Sequence, residues 1–409
     1  MAAETEEQRA AKLAELRRLT PEQEAAAAKA AQRIEEVAAA AEAAPEEERA
    51  AATGYKGKEM WDIYGGGAIE PLLEHTPLID LEYLVALAEG GGVMPCGRQN
   101  VPPAAFITKR NLWRLKLWNK ARNKGSLGVL VLSYPWLDWF HPDRLGAQLH
   151  RLLPFLKAML AEAKRDSPHC TVGVMIDFLC LPQKPFATEE DGARFGVSLK
   201  AINAWYFHQF TYTLLVTNPP PEGADYSNTR LHRDRGWCFF ERSSAQLCTP
   251  TKAGGYAWPM VVDVGAGLDG GGATRAPPLL PADFAAQVKR RKFTNGADCE
   301  LVIGLYKKTL ESVLGKAPNL KMIGNTHWGD AEMRELVEVL PLCAEATLLD
   351  IQVSFHEVTA EGVGVLTRCV DEGKLPAKLK KIVYPNAWKD ISSFAELRAV
   401  CERRGIELV

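Results

Sequence analysis

Residues 127–135 read LGVLVLSYP, and the fold class turns on this stretch. It is a short, unbroken apolar run that stops at Ser133-Tyr134-Pro135, the pattern of a strand buried on both faces. Downstream the pattern alternates. Residues 144–165, RLGAQLHRLLPFLKAMLAEAKR, carry helical spacing with Pro154 as an expected kink, and TVGVMIDFLCLP (171–182) is a second buried strand. FGVSLKAINAWYFHQF (195–210) is a second helix, YTLLVTNPP (212–220) a third strand, RGWCFFERSSAQL (235–247) a third helix and PMVVDVG (259–265) a fourth strand. Strands alternating with helices at this spacing imply an α/β domain with a parallel sheet.

Outward from this domain the composition changes. Residues 1–52 are Ala, Glu, Arg and Lys with few large side chains, and Thr20-Pro21-Glu22-Gln23 reads as a helix start closed by a capping box. The thin stripes Leu13, Leu16, Leu19 and Ile34, Val37 bury little, so a solvated helical tail, or one packed on a partner, is expected. Residues 53–125 are read as a helical lead-in. Within it Ile69–Leu87 has helical spacing up to Gly90-Gly91-Gly92, VMPCGRQNVPP is turn-rich, and the basic, aromatic 107–124 reads as a helix lying on the next domain. The α/β domain is expected at 126–265, and the Gly- and Pro-rich 266–290 as a linker. In 291–409 the segments starting at Leu320, Leu349 and Leu379 recur about every 29 residues, each of the first two followed by a helix-like stretch. This resembles the strand-plus-helix leucine-rich repeat, a class that usually binds protein.

The composition excludes some functions. Net charge is -2 and the pI about 6.5, which argues against a nucleic-acid binder relying on a broad basic field. Nine cysteines without a Cys-x-x-Cys, several inside apolar runs, fit buried thiols, and no zinc spacing is present. No apolar run has the length of a membrane span and the N-terminus lacks the signature of a leader, so a cytoplasmic protein is expected.

Four segments form a constellation: Ser133-Tyr134-Pro135-Trp136-Leu137-Asp138 after the first strand, Asp177 to Gln183 after the second, Ala201 to Tyr206 in a helix, and Arg235-Gly236-Trp237-Cys238-Phe239-Phe240-Glu241 at the last helix start. Open parallel sheets bind ligands beyond the carboxyl ends of their strands, where all but the third fall. Ser-Tyr-x-Trp, Ile-Asp-x-x-Cys-x-x-Gln and Arg-Gly-Trp-x-x-x-Glu together are similar to the HET (heterokaryon-incompatibility) domain pattern. Trp-Cys-x-x-Glu also resembles the helix start after the third strand of TIR domains. As a whole the chain resembles proteins of a protist and algal multigene type.

The resemblance implies a flavodoxin-like three-layer parallel sheet. In catalytic TIR domains the glutamate at this helix start cleaves the nicotinamide–ribose bond of NAD, which makes Glu241 the candidate catalytic residue and NAD the candidate substrate, with no cofactor required. Ser133, Trp136, Asp138, Asp177, Gln183 and Trp237 would line a nucleotide cleft. Ser-Tyr-Pro-Trp differs from the usual TIR Phe-x-Ser-x-Arg/Lys, and EGADYSNTRLHRD (222–234) is an unusual insert. Three readings stay open: a signalling module with protein partners or self-association, an NAD glycohydrolase using Glu241, and a non-catalytic scaffold.

Overall fold

The computed structural model describes residues 15–16, 18–50, 59–120, 124–247, 261–266, 276–322, 328–352 and 357–409. Leu13, residues 259–260 of the expected fourth strand and the Gly-rich 267–275 lie outside them. The chain is mixed α/β and divides into two compact units. The first comprises residues 1–123, 127–199 and 219–230; the second comprises 124–126, 200–218 and 231–409.

In the first unit the helix α1 (Pro21–Glu42) starts as its sequence dictates. Thr20 Oγ1 accepts the Gln23 N–H at 3.2 Å, and Gln23 Oε1 accepts the Thr20 N–H at 2.9 Å. It is not a solvated tail. Ala26, Ala30 and Ile34 are buried against α2 (Leu81–Glu89), because small side chains let the two backbones approach closely. The lead-in is also less helical than expected. It supplies β1 (Leu78–Asp80) and β2 (Phe106–Ile107), and in place of one basic helix a short helical turn at Trp113–Lys116 followed by a 3-10 turn at Leu117–Asn119. The long apolar strand β3 (Val129–Ser133), the helix α3 (Ala147–Lys164, with Pro154 inside it) and β4 (Gly173–Met175) follow as the sequence pattern implies. β3 and β4 are parallel, β1 is antiparallel to β4, and β2 is antiparallel to β1, giving the order β2-β1-β4-β3. After β4 come the single turn α4 (Asp177–Cys180) and the helix α5 (Glu189–Ala201).

A buried charge cluster fixes the lead-in to this sheet. Arg114, 1% exposed, donates to Asp80 and Glu82, and its Nε donates to the His169 carbonyl at 3.2 Å. Asp80 also accepts the Thr171 hydroxyl at 2.6 Å and the Glu82 N–H at 3.0 Å, while Lys164 pairs with Glu82. Every one of these carboxylate oxygens would cost several kcal/mol if stripped of its partner.

The second unit holds β5 (Tyr212–Leu215), the helix α6 (Gly236–Gln246) and β6 (Val261–Asp263), with β5 and β6 parallel. Part of the expected linker is structured. Residues Pro281–Val288 form α7, whose Phe284 is stacked between Phe239 of α6 and Tyr306 of α8 (Asp298–Val313), with centroids 5.3 and 3.9 Å away. Arg291 caps the stack, its guanidinium carbon 3.4 Å from the Phe239 centroid.

Strands and helices then alternate through the C-terminal part of this unit. Strands β7 (Asn319–Lys321), β8 (Leu348–Asp350), β9 (Lys381–Val383) and β10 (Glu407–Leu408) form one parallel sheet in the order β10-β9-β8-β7. They alternate with α9 (Asp330–Val339), α10 (Ala360–Asp371) and α11 (Phe394–Arg404). Leu320, Leu349 and Ile382 are paired in register and fully buried as a core ladder, whose third rung is Ile382 and not the expected Leu379, which lies before β9. Polar side chains repeat as well. Asp330 accepts the Thr359 hydroxyl and the N–H groups of Thr359 and Gly362, tying α9 to the start of α10, and the Ser393 hydroxyl donates to the Ala360 carbonyl.

Arg114→Met should lower unfolding free energy by about 3–5 kcal/mol, because it takes the shared guanidinium from two buried carboxylates. Arg114→Lys should recover only part of this, lacking the fork that reaches both carboxylates. Urea denaturation of the three proteins measures it; equal midpoints would refute the anchoring role.

Candidate functional site at the carboxyl ends of β3 and β4

The register Val131↔Met175 carries Ser133 and Asp177 to the same level at the ends of two adjacent parallel strands. The two segments read from the sequence therefore do meet. Ser133 is fully buried at the end of β3. Asp177 keeps some exposed surface as a residue, but its carboxyl group is enclosed. Its Oδ1 accepts the Tyr134 hydroxyl at 2.6 Å and the Phe178 N–H at 2.7 Å, and the Trp136 indole also donates to it. Burial raises its pKa above the ordinary aspartate value, and these three donors only partly offset that. Gln183 folds back, its amide donating to the carbonyls of Leu181 at 3.0 Å and Asp177 at 3.3 Å. Trp136 meets Phe178 edge-on at 5.1 Å, and Phe178 meets His141 at 5.0 Å, so rings fill the space between the two strand ends.

Beyond Trp136 the chain makes a tight turn. Leu137 N–H donates to the Pro142 carbonyl at 2.9 Å and Asp138 N–H to the His141 carbonyl at 3.0 Å. Asp138, 2% exposed, holds the turn from below. Its Oδ1 accepts the Ser227 N–H and hydroxyl, both at 2.9 Å, and its Oδ2 accepts Arg144 at 3.2 Å. The unusual insert thus has a structural role, since it brings in Ser227, and the Asn228 N–H donates to the Leu137 carbonyl at 2.9 Å. Asp143 caps α3, its Oδ2 accepting the N–H groups of Gln148 at 2.9 Å and Leu149 at 2.8 Å, while Tyr226 donates to its Oδ1. Burial raises the Asp143 pKa as well, against those hydrogen bonds. The Gln148 amide donates to the carbonyls of Pro135 and Pro142, closing the base of the turn. At the tip, Trp139 is 59% exposed, with Phe140 edge-on beneath it.

The other two candidates belong to the second unit. Trp237 and Glu241 lie one turn apart on α6, and Glu241 is 6% exposed. The Trp237 indole donates to Asp298 Oδ2 at 2.9 Å. The Arg-Gly-Trp motif docks the segment before α8. Arg235 and Lys292 form a parallel bridge, with Gly236 N–H on the Lys292 carbonyl and Lys292 N–H on the Asp234 carbonyl, both at 3.0 Å. A β-carbon at Gly236 would sit 2.0 Å from the Phe293 ring, so any larger residue would have to displace that ring. His232 and Arg235 are buried and Arg233 is exposed, so of the three only Arg233 is a solvated cation. Among the described residues no group of histidine, cysteine, aspartate and glutamate side chains is arranged to hold a metal ion.

The sequence pattern singles out Asp177 and Asp138 but not their donors Tyr134, Arg144 and Ser227, nor the second enclosed carboxyl, Asp143. Tyr134 lay inside the quoted motif, and its hydroxyl next to a strand-end carboxylate was the available signal. Comparison with family models, with curated proteins and with solved structures gives no match to this chain.

Tyr134→Phe should destabilise the fold by about 1–3 kcal/mol, because a buried acceptor loses its donor. Thermal and urea unfolding measure it. An unchanged midpoint would mean that water or another donor serves Asp177 equally well.

Proposed function

We propose that the chain is a protein-interaction and signalling module on a TIR/HET-like, flavodoxin-like α/β core, with a second copy of itself as the partner to test first. One observation carries this reading. The polar groups of the Ser-Tyr-Pro-Trp-Leu-Asp motif and its neighbours are spent on internal bonds, and what they hold out is an exposed tryptophan. A ligand cleft offers convergent polar groups to solvent. Here Asp138, Asp177 and Gln183 are engaged by Ser227, Arg144, Tyr134 and nearby carbonyls. Tryptophan on a turn already rigid before binding is the kind of residue that dominates protein interfaces, since little ordering entropy is lost when it docks. The strand-plus-helix array of the second unit, similar to leucine-rich repeats, is consistent with the same function.

The NAD glycohydrolase reading places its nucleophilic or charge-stabilising carboxylate at Glu241, with NAD as substrate. It requires that this buried carboxylate be reached by a ribose, and the interaction reading does not.

Light scattering over a concentration series should show the mass per particle rising above that of one chain. Trp139→Ala should weaken association at least about tenfold, the loss of an interface hot spot, while the unfolding midpoint stays put, as for an exposed substitution. A monomer at all concentrations, or association indifferent to Trp139, would contradict the proposal. In parallel, chromatography after incubation with NAD should show no nicotinamide above the buffer control. Release abolished by Glu241→Ala would make the enzyme reading the correct one.

A further inference from the structure

The segment between the glycine run and the start of the second strand is not absorbed by this function. Residues Gly92–Gln99, GVMPCGRQ, are hydrogen-bonded to residues that follow β3 and β4, His141 and His150 after the first and Cys180 after the second. Their carbonyls are gripped by side chains that follow those strands. His150 Nε2 donates to the Gly92 carbonyl at 3.2 Å, and His141 Nε2 to the Met94 carbonyl at 3.0 Å. The His141 tautomer follows from its other nitrogen, which accepts the Asp143 N–H at 2.9 Å, so the ring proton sits on Nε2. At the far end the Arg98 guanidinium reaches back across the edge, donating to the Cys180 carbonyl at 3.2 Å and the His75 carbonyl at 2.9 Å. Between these latches Val93 and Met94 are buried, and Met94 is 1% exposed. Gly91, just before the segment, has φ 76°, and Gly97, within it and next to the Arg98 latch, has φ 90°, positions where glycine turns without strain.

We propose that Gly92–Gln99 is a hinged strap, latched over the carboxyl ends of β3 and β4 by His150, His141 and Arg98, whose release uncovers the aromatic edge formed by Trp136, Phe178 and His141. The proposal rests on the interaction reading of that edge and adds its regulation. The closed strap holds His141, whose carbonyl closes the Trp139 turn, so opening and presentation of the turn are coupled. An opening confined to a stretch held at its ends by side chains, and flanked by glycines, is a local event that leaves the sheet intact.

Methionine oxidation reads this directly, because a sulfur must be exposed to be oxidised. The full chain is pulsed with dilute hydrogen peroxide, and the oxidation rate of Met94 is followed by mass spectrometry. Met159 and Met175, fully buried in α3 and β4, serve as references for unfolding of the whole unit. His150→Ala should raise the Met94 rate about fivefold and Arg98→Ala about tenfold or more, with Met159 and Met175 unchanged, since each variant removes hydrogen bonds that exist only in the closed strap. His150 is on the surface, so its variant tests the latch even if Arg98→Ala folds poorly. Met94 rates unchanged in the His150 variant, or rising there in step with Met159 and Met175, would overturn the strap. Neither outcome depends on self-association, so failure here is distinct from failure at Trp139.

Discussion

Three aspartates stand at the carboxyl ends of β3 and β4, Asp138 and Asp143 buried and Asp177 half-buried with its carboxyl group enclosed. An enclosed carboxylate is tolerated only if donors surround it. That requirement organises the first unit. It accounts for the Tyr134 hydroxyl and Trp136 indole on Asp177, for Arg144 and the inserted Ser227 on Asp138, and for the first turn of α3 on Asp143. The turn carrying Trp139 takes its shape from these bonds, and the strap closes over the result. At the other side of the sheet the same rule is met by full ionic pairing, with Arg114 and Lys164 opposite Asp80 and Glu82. The two solutions differ in consequence. Ionic pairing locks the lead-in in place, whereas neutral donors around Asp177 leave its pKa raised by burial.

Much of this was legible where the physics is local. The apolar runs of β3 and β4 and the spacing of α3 and α6 give their positions directly. Capping at Thr20 is a local reciprocal bond and was found as expected. The first two rungs of the core ladder, Leu320 and Leu349, were visible through the repeat, whereas the third is Ile382 and not Leu379. What escaped was set by distant partners. A three-residue strand such as β1 has too few positions to show a period, and it is a strand because β4 pairs with it. Helix α1 looked solvent-exposed because alanine signals little hydrophobic drive, although its smallness is what admits close packing on α2. β10, two residues at the end of the repeat, carries no pattern of its own.

The candidate site was legible as a set of residues rather than as a set of roles. Ser133 and Asp177 meet as the topology required, yet their neighbours turn them inward. Trp237 was read as lining a nucleotide cleft, and its indole donates to Asp298, while the backbone around Arg235 bridges to Lys292. A motif states which side chains are near a strand end. Whether they face a ligand or each other depends on donors brought from elsewhere, here by the insert at 222–234 and the loop before α3.

The filled edge at the ends of β3 and β4 depends most directly on the enclosure of Asp177. A carbon-detected NMR titration of its carboxyl group should give a midpoint above the ordinary 3.8, because burial disfavours the charged form more than Tyr134, Phe178 and Trp136 favour it. A midpoint at or below 3.8 would mean an aspartate open to water or facing a cation, and a cleft where a filled edge is described here.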